Sequence, residues 1–265
     1  MTAEPNMIQS VGRAARILKA LGSEQARLGV TELAERLGLA KATVYGLLRT
    51  LEAHQFVEQD IETGKYRLGP ALLQLGNAFL DNHELRARSL LWAESLASRA
   101  REAVHVGVLY GPNVLIVHHV FRPDDSVQIL EVGASIPWHA CALGKAMVAF
   151  LEPSQRKELL DGGLPRLTGQ TLTDPEALVQ ELDRIVREGV AIEDQEAIVG
   201  EAGIAAPLFD HRGAVVGGIA LAGPVEHLLP GGAPAGDLLA AVKESARGLS
   251  RELGAGRLSL PGAGA

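Results

Sequence analysis

Val44, Leu47, Leu48 and Leu51 recur at helical spacing through GLAKATVYGLLRTL (38–51) and form one apolar stripe, as on a helix packed against a small core. The opposite face is unusual. Ala42, Gly46 and Arg49, flanked by Thr43, Tyr45 and Thr50, stand where a solvated helix carries pairs of Glu and Lys. Upstream, apolar residues at 11, 14, 17, 18 and 21 predict a helix over 10–21, with Ser10 as its N-cap and Gly22-Ser23 as its stop. Thr31 is expected to cap a second helix, with Glu32 in its first turn, Leu33, Ala34 and Leu37 inward and Gly38 ending it. Only Leu39-Ala40 separates this helix from the next, which is the spacing of a helix-turn-helix. Residues 56–60 and 65–68 then read as strands joined by 61–64, a hairpin with Gly64 near its tip. Helix, helix-turn-helix and hairpin over 7–69 is the order of a winged helix-turn-helix domain.

Residues 70–101 carry a long helical pattern broken near Asn82-His83, a connector spanning about 70–102. Beyond it, strands are expected at 104–110, 114–120 and 126–132, helices at 141–151, 153–160 and 174–188, strands at 190–193, 203–209 and 214–222, and a last helix over 235–253. Strands in hairpin order with helices inserted between them predict an α+β fold with an antiparallel sheet, a second domain over 84–254. The Gly- and Ala-rich tail from 254 is expected to fray. Residues 103–121 approach the length of a membrane span, but Gly111-Pro112-Asn113 in their middle, with β-branched residues on both sides, makes them two strands and a turn.

The chain's 265 residues leave room for one large core or two smaller ones. A net charge of -7 argues against a surface that grips polyanions everywhere. The charge is unevenly spread. Residues 1–69 hold nine Lys or Arg against eight Asp or Glu, while the rest hold sixteen against twenty-four, so any phosphate affinity belongs to the first part. Cys141 is the only cysteine, so no internal disulfide forms and a reducing compartment is expected. The first five residues lack the basic and apolar regions of a secretion signal, and the expected location is the cytoplasm.

A helix that enters the major groove needs short residues on its outer face, so that its backbone approaches, and a few side chains that reach bases or phosphates. Ala42, Thr43, Tyr45, Gly46 and Arg49 meet that need, and Lys41 in the first turn would lie beside a phosphate. Gly46 lowers helix stability by about 1 kcal/mol relative to alanine, a loss hard to rationalise on a merely solvated face. In the hairpin, Lys65 and Arg67 alternate with Tyr66 and Leu68, which turns both cations away from the core and toward DNA backbone or minor groove. The bland alternative is a small helical module whose cations are simply solvated.

From Ile8 through LGVTELAERLGLAKATVYGLLRTLEAHQFVEQDIETGKYRLG, the chain resembles the DNA-binding domain of IclR-type bacterial transcriptional regulators. PWHACALGKAMVAFL and GVAIEDQEAIVGEAGIAAPLFDHRGAVVGGIALAGP are similar to their effector-binding domain, so the resemblance covers about residues 8–253. HELRAR (83–88) and VLIVHHVFRPDDS (114–126) look most like the branch of the family that governs glycerol operons in actinomycetes. The resemblance implies a GAF- or PAS-like sheet holding a small, often acidic metabolite. The implied pocket is lined by Cys141, Ala142, Leu143 and Gly144, then by Glu193, Glu201, Gly203, Ala220 and Ala222. Gly203, Ala220 and Ala222 replace polar or thiol side chains of the versions that bind small keto acids, and Glu201 is acidic. A glycerol-derived metabolite such as glycerol 3-phosphate is the implied effector. Independently of the family, the backbone N–H groups of Ala142, Leu143 and Gly144 open a helix and suit a carboxylate or phosphate, or form an ordinary turn. Glu193-Asp194-Gln195-Glu196 reads as a pocket rim or, preferably, a solvated turn.

Neither G-x-S-x-G nor a phosphate loop occurs, and the Gly-rich runs lack dinucleotide spacing. His118, His119, His139 and Cys141 are a conceivable metal or Cys-His cluster, but adjacent His118 and His119 face opposite sides of a strand and cannot share one site. Cys141 reads as a small packed residue. The expectation is a regulator, not an enzyme, without cofactor, metal or membrane contact. A homodimer or dimer of dimers would bind double-stranded operator DNA through Thr31, Lys41, Ala42, Thr43, Tyr45, Gly46, Arg49, Lys65 and Arg67. The alternative is a metabolite-binding enzyme whose N-terminal module only mediates association.

Overall fold

Local chain signals set the first three helices. In the computed structural model, which describes residues 8–22, 27–123 and 132–256, α1 spans Gln9–Leu21, α2 Val30–Leu37 and α3 Lys41–Ala53. Extended Ile8 stands at the cap of α1, so Ser10 lies inside the helix and does not cap it. Thr31 likewise lies in the first turn of α2. Gly29 is the cap, and its N–H donates to the Glu32 carboxylate at 2.5 Å, which reaches back to the helix end as in a capping box. Gly38 closes α2 in the left-handed conformation at φ 66°, which a residue without a Cβ adopts freely. The turn of Leu39-Ala40 then delivers α3, whose first residue follows Ala40 without a side-chain cap.

The hairpin that follows pairs β1 (Val57–Gln59) with β2 (Tyr66–Leu68), Glu58 opposite Arg67. Asp60 shapes its turn by accepting from the N–H groups of Glu62 and Thr63 and the Thr63 hydroxyl. Leu28 forms an antiparallel bridge with Tyr66, a third short edge that the sequence pattern does not announce. Tyr66 is fully buried, whereas Leu68, expected inward with it, stays 38% exposed. Ile17, Leu21, Leu33, Val44, Leu48, Leu51 and Val57 complete this core with Tyr66. Helix α4 (Pro70–Asp81) opens on Pro70 at its first turn and buries none of its residues.

The chain divides into two compact units between Asn82 and His83. The second begins with α5 (Glu84–Ala100), then β3 (Ala103–Tyr110), β4 (Asn113–Val120) and β5 (Ser135–Pro137). After a 3-10 turn at Trp138–Ala140 come α6 (Ala142–Val148), α7 (Pro153–Asp161), α8 (Pro175–Glu188), β6 (Ala191–Asp194), β7 (Glu201–Phe209), β8 (Val215–Pro224), α9 (Val225–Leu228) and α10 (Gly236–Glu252). The strands form one sheet in the order β5-β4-β3-β8-β7-β6, every described pair antiparallel. Neighbouring glycines show what covers its two faces. A Cβ on Gly217 would strike Leu85 of α5, and one on Gly218 would strike Leu143 of α6. Helix α5 packs with α10, where Gly248 lets the Trp92 ring lie on the helix backbone.

Several element boundaries differ from expectation. Helix α6 stops at Val148 rather than 151, because Phe150 and Leu151 turn back onto Met147 and Val148 and Pro153 disfavours helix before it. The strand expected at 126–132 lies outside the described residues except for Val132, which sits in a turn. Most of the tail from 254 also lies outside them. Strand β5 is three residues long, too short for alternation to reveal. Residues 103–121 are two strands with Gly111 at φ 57° in their turn, and no helix among the described residues is long and apolar enough to cross a membrane.

Candidate functional site

Helix α3 buries Val44, Leu48 and Leu51 and exposes Lys41, Ala42, Tyr45, Gly46 and Arg49, with Thr43 half-buried. A Cβ built on Gly46 would meet nothing within 4 Å, so no intramolecular contact requires glycine there. Three of the cations around this face are held by carboxylates. Arg49 pairs with Glu52 at 3.1 Å, Lys65 with Glu32 at 3.1 Å and Arg67 with Glu58 at 3.0 Å. The Gly29 N–H, then Lys65, hold the Glu32 carboxyl below its ordinary range. Burial pushes the Tyr66 phenol up, with the Glu52 charge adding to it. That field joins α3 to the hairpin. Solvated pairs of this kind contribute little to stability, so a phosphate can compete for each cation. Thr31 is exposed in the first turn of α2, next to the Lys65 partner Glu32.

The second site is a cavity of about 760 Å³, part of it open to solvent, over the α6 face of the six-stranded sheet. Sheet register builds its floor. Ala103 pairs with Ala222, Ala222 with Gly203 and Gly203 with Glu193, which sets one row of small side chains ending in a carboxylate. The next row runs His119, His105, Ala220. Cys141, Ala142 and Leu143 cover the floor at the start of α6, and Arg122 and Glu201 also line the space. The structure therefore brings together eight of the nine residues expected there.

Gly144 is the exception. A Cβ on it would fall 2.1 Å from the Trp138 carbonyl oxygen, so glycine serves close packing, and its N–H already bonds the Cys141 sulfur. The expected anion cradle of three N–H groups is thus incomplete. The segment 193–196 is not a solvated turn either. Glu193 and Glu196 are both buried, and Glu196 forms an ion pair with the equally buried Lys145. Such a pair compensates two charges removed from water.

Burial dominates the titration of the cavity walls. It pushes the Glu193 carboxyl up to about 7, against the opposing pull of the Ala197 and Glu196 N–H groups, which donate to Oε1 at 3.1 and 2.6 Å. It pushes His105 down to about 3, aided by His119, whose ring lies edge-on with centroids 4.7 Å apart. His105 is therefore a neutral imidazole at physiological pH. Burial also raises the Cys141 thiol to about 12, the reverse of an activated nucleophile. Glu201 is raised by burial while Arg122 pulls it back. Arg122 itself faces Glu102 at 3.6 Å, and Glu102 also meets His227 at 3.0 Å. His118 points to the other side of the sheet, toward the charges of Arg86 and Glu94, as its adjacency to His119 requires. Sequence reasoning missed His105 and Arg122 as wall residues. His105 shares a face of β3 with Ala103, a signal readable only once the pairing of β3 with β8 is known.

Comparison with known proteins agrees over both units. Residues 10–60 match the IclR helix-turn-helix domain and residues 77–251 match the bacterial transcriptional regulator IclR C-terminal domain. The chain is 50% identical over 250 residues to the glycerol operon regulatory protein of Streptomyces griseus, covering 94% of this chain and 98% of that one. It is 47% identical over the same share to the glycerol operon regulatory protein of Streptomyces coelicolor. A crystal structure of an IclR transcriptional regulator from Alicyclobacillus acidocaldarius superposes with a TM-score of 0.79 at 29% identity, over 94% of this chain and 100% of that chain. An IclR homologue from Microbacterium hydrocarbonoxydans, complexed with 4-hydroxybenzoate, gives 0.77 at 25% identity, over 92% and 98%.

Proposed function

Because the chain belongs to the IclR family of bacterial transcriptional regulators, we propose that it binds operator DNA through the bare face of α3 and the cations of its hairpin, and that the 83–256 cavity senses a metabolite of glycerol catabolism. One observation carries the DNA reading. Ala42, Gly46 and Arg49 lie exposed on one helix face, with no neighbour that explains the glycine. Thr31, Lys41, Thr43, Tyr45, Lys65 and Arg67 are the accompanying contacts, two pairs of domains over 7–69 and 84–254 joined through 70–102 in a homodimer, or a dimer of dimers. Pairing suits a domain with a charge balance of only +1 over 1–69, since two copies double the phosphate contacts. The Streptomyces relatives support the glycerol assignment, and glycerol 3-phosphate is the candidate effector. A role in the cytoplasm, where operator DNA lies, follows from this reading. The raised Cys141 thiol favours regulation over nucleophilic catalysis at the cavity.

The test is a gel-shift titration with DNA upstream of the protein's own gene, at several salt concentrations, with and without glycerol and glycerol 3-phosphate. Arg49→Ala is expected to weaken specific binding by ~1–3 kcal/mol with its melting temperature little changed. Retardation that the variant leaves intact removes α3 from the interface.

A further inference from the structure

Arg49 and Glu52 stand one turn apart on α3 and differ from the other charged pairs around this face. Lys65 and Arg67 reach carboxylates in other segments of the chain, and those carboxylates, Glu32 and Glu58, are 48% and 43% exposed. Glu52 is only 29% exposed, whereas the Arg49 side chain that it holds is 62% exposed. The buried Tyr66 phenol feels the charges of both, which sets the pair at the junction of α3 and β2. Arg49 Nη1 donates to Glu52 Oε2 at 3.1 Å, while Nε and Nη2 have no protein partner among the described residues. The guanidinium is thus fixed at one corner and offers two donors along another edge. Gly46 lies on the same helix face one turn earlier, where a Cβ would meet nothing within 4 Å. A phosphate at the groove rim is within reach of any long, flexible cation, but a base edge lies deeper and demands close approach and a fixed donor plane. Gly46 supplies the approach and Glu52 fixes the plane. Guanine presents two acceptors, O6 and N7, to such an edge, whereas adenine places a donor beside its N7.

Resting on the operator-binding reading above, we infer that Arg49 reads a guanine in the major groove and that Glu52 is the positioning residue that holds its guanidinium for that contact. Glu52 then sets sequence specificity without touching DNA. Its negative charge lowers the attraction to every duplex alike, and it raises discrimination only where Arg49 meets its base. Holding the side chain in the free protein also reduces the rotamer freedom lost on docking.

Competition gel shifts with the full-length protein test the assignment. The probes are the fragment upstream of its own gene, mixed-sequence DNA, and copies of the fragment in which each guanine in turn is replaced by 7-deazaguanine, which pairs normally but lacks the N7 acceptor. Wild type is expected to lose about tenfold in affinity at one guanine or at its mate in a second half-site, and Arg49→Ala to be indifferent to that same replacement. Glu52→Gln keeps the shape of the side chain without its charge, and thermal melting reports whether it is folded. It should bind mixed-sequence DNA at least as tightly as wild type, with a log–log salt slope steeper by about one, because the released guanidinium settles on phosphate. Its preference for the fragment should fall by about tenfold, and most of its sensitivity to 7-deazaguanine should go with it. Added to Arg49→Ala, Glu52→Gln should lower that preference no further. Full 7-deazaguanine sensitivity in folded Glu52→Gln overturns the inference, as does a further loss in the double variant. A preference that rises in Glu52→Gln also overturns it, since the carboxylate would then only occupy Arg49. Wild type that fails to retard the fragment at all overturns the DNA reading and this inference together, whereas retardation with no guanine that separates wild type from Arg49→Ala overturns this inference alone.

Discussion

Gly46 and Glu193 each hold a residue type that the surrounding fold does not favour. At Gly46 the helix is exposed and the site of a Cβ is empty, so Gly46→Ala should stabilise the first unit by up to about 1 kcal/mol, read as a higher melting temperature. A larger residue there, such as leucine, would stand between the α3 backbone and a duplex. Glu193 holds its proton more tightly in the folded chain, with a value of about 7 against an ordinary 4.5. The folded state then binds more protons than the unfolded one between those values, so this group's contribution to stability falls as pH rises from 4.5 to 7. His105 acts in the opposite sense, since burial lowers it from 6.5 to about 3 and stability grows as pH rises through that window. The two slopes oppose each other between pH 4.5 and 6.5. Comparing wild type with Glu193→Gln isolates one of them: the variant's melting temperature should gain on wild type as pH rises from 4.5 to 7. The bare face of α3 was legible residue by residue, because helical period alone assigns its sides. The anchored carboxylate was not, since 193–196 is polar by composition and only the packing of α6 and the Lys145 pair bury it.

Among the elements, periodicity identified the longer helices and strands, and failed where an element is too short for its pattern to repeat, as in the four-residue helix α9. Strand β5 has three residues, and the Leu28 bridge to Tyr66 has one. Helix starts went astray where backbone geometry replaced side-chain caps, at Ile8 and Gly29. Gly144 shows a further gap between motif and geometry. Its place in a loop-to-helix turn suggested ligand binding, yet the Trp138 backbone occupies the space beyond its Cα. Gly144→Ala is accordingly expected to destabilise the second unit by about 1–3 kcal/mol or more, measured by denaturant unfolding. An effect on effector affinity with stability preserved would contradict the packing role.

For the whole molecule, two cores follow from two runs of pattern, one around Leu33, Val44 and Tyr66 and one around Leu143, Met147 and Leu182. A fragment beginning at His83 is therefore expected to keep a cooperative melting transition and its binding of the effector while losing all affinity for operator DNA. A fragment that fails to fold would show that the second core leans on the first. The charge asymmetry was readable from counts along the chain, but the pairing of those charges was not, because Lys65 meets Glu32 and Arg67 meets Glu58 only after the hairpin folds. Each of those cations already has a protein anion beside it. Docking on a duplex thus exchanges one counter-charge for another, and fewer salt ions are expelled than a tally of lysines and arginines would suggest. The grip on DNA is then expected to be moderate and readily reversed.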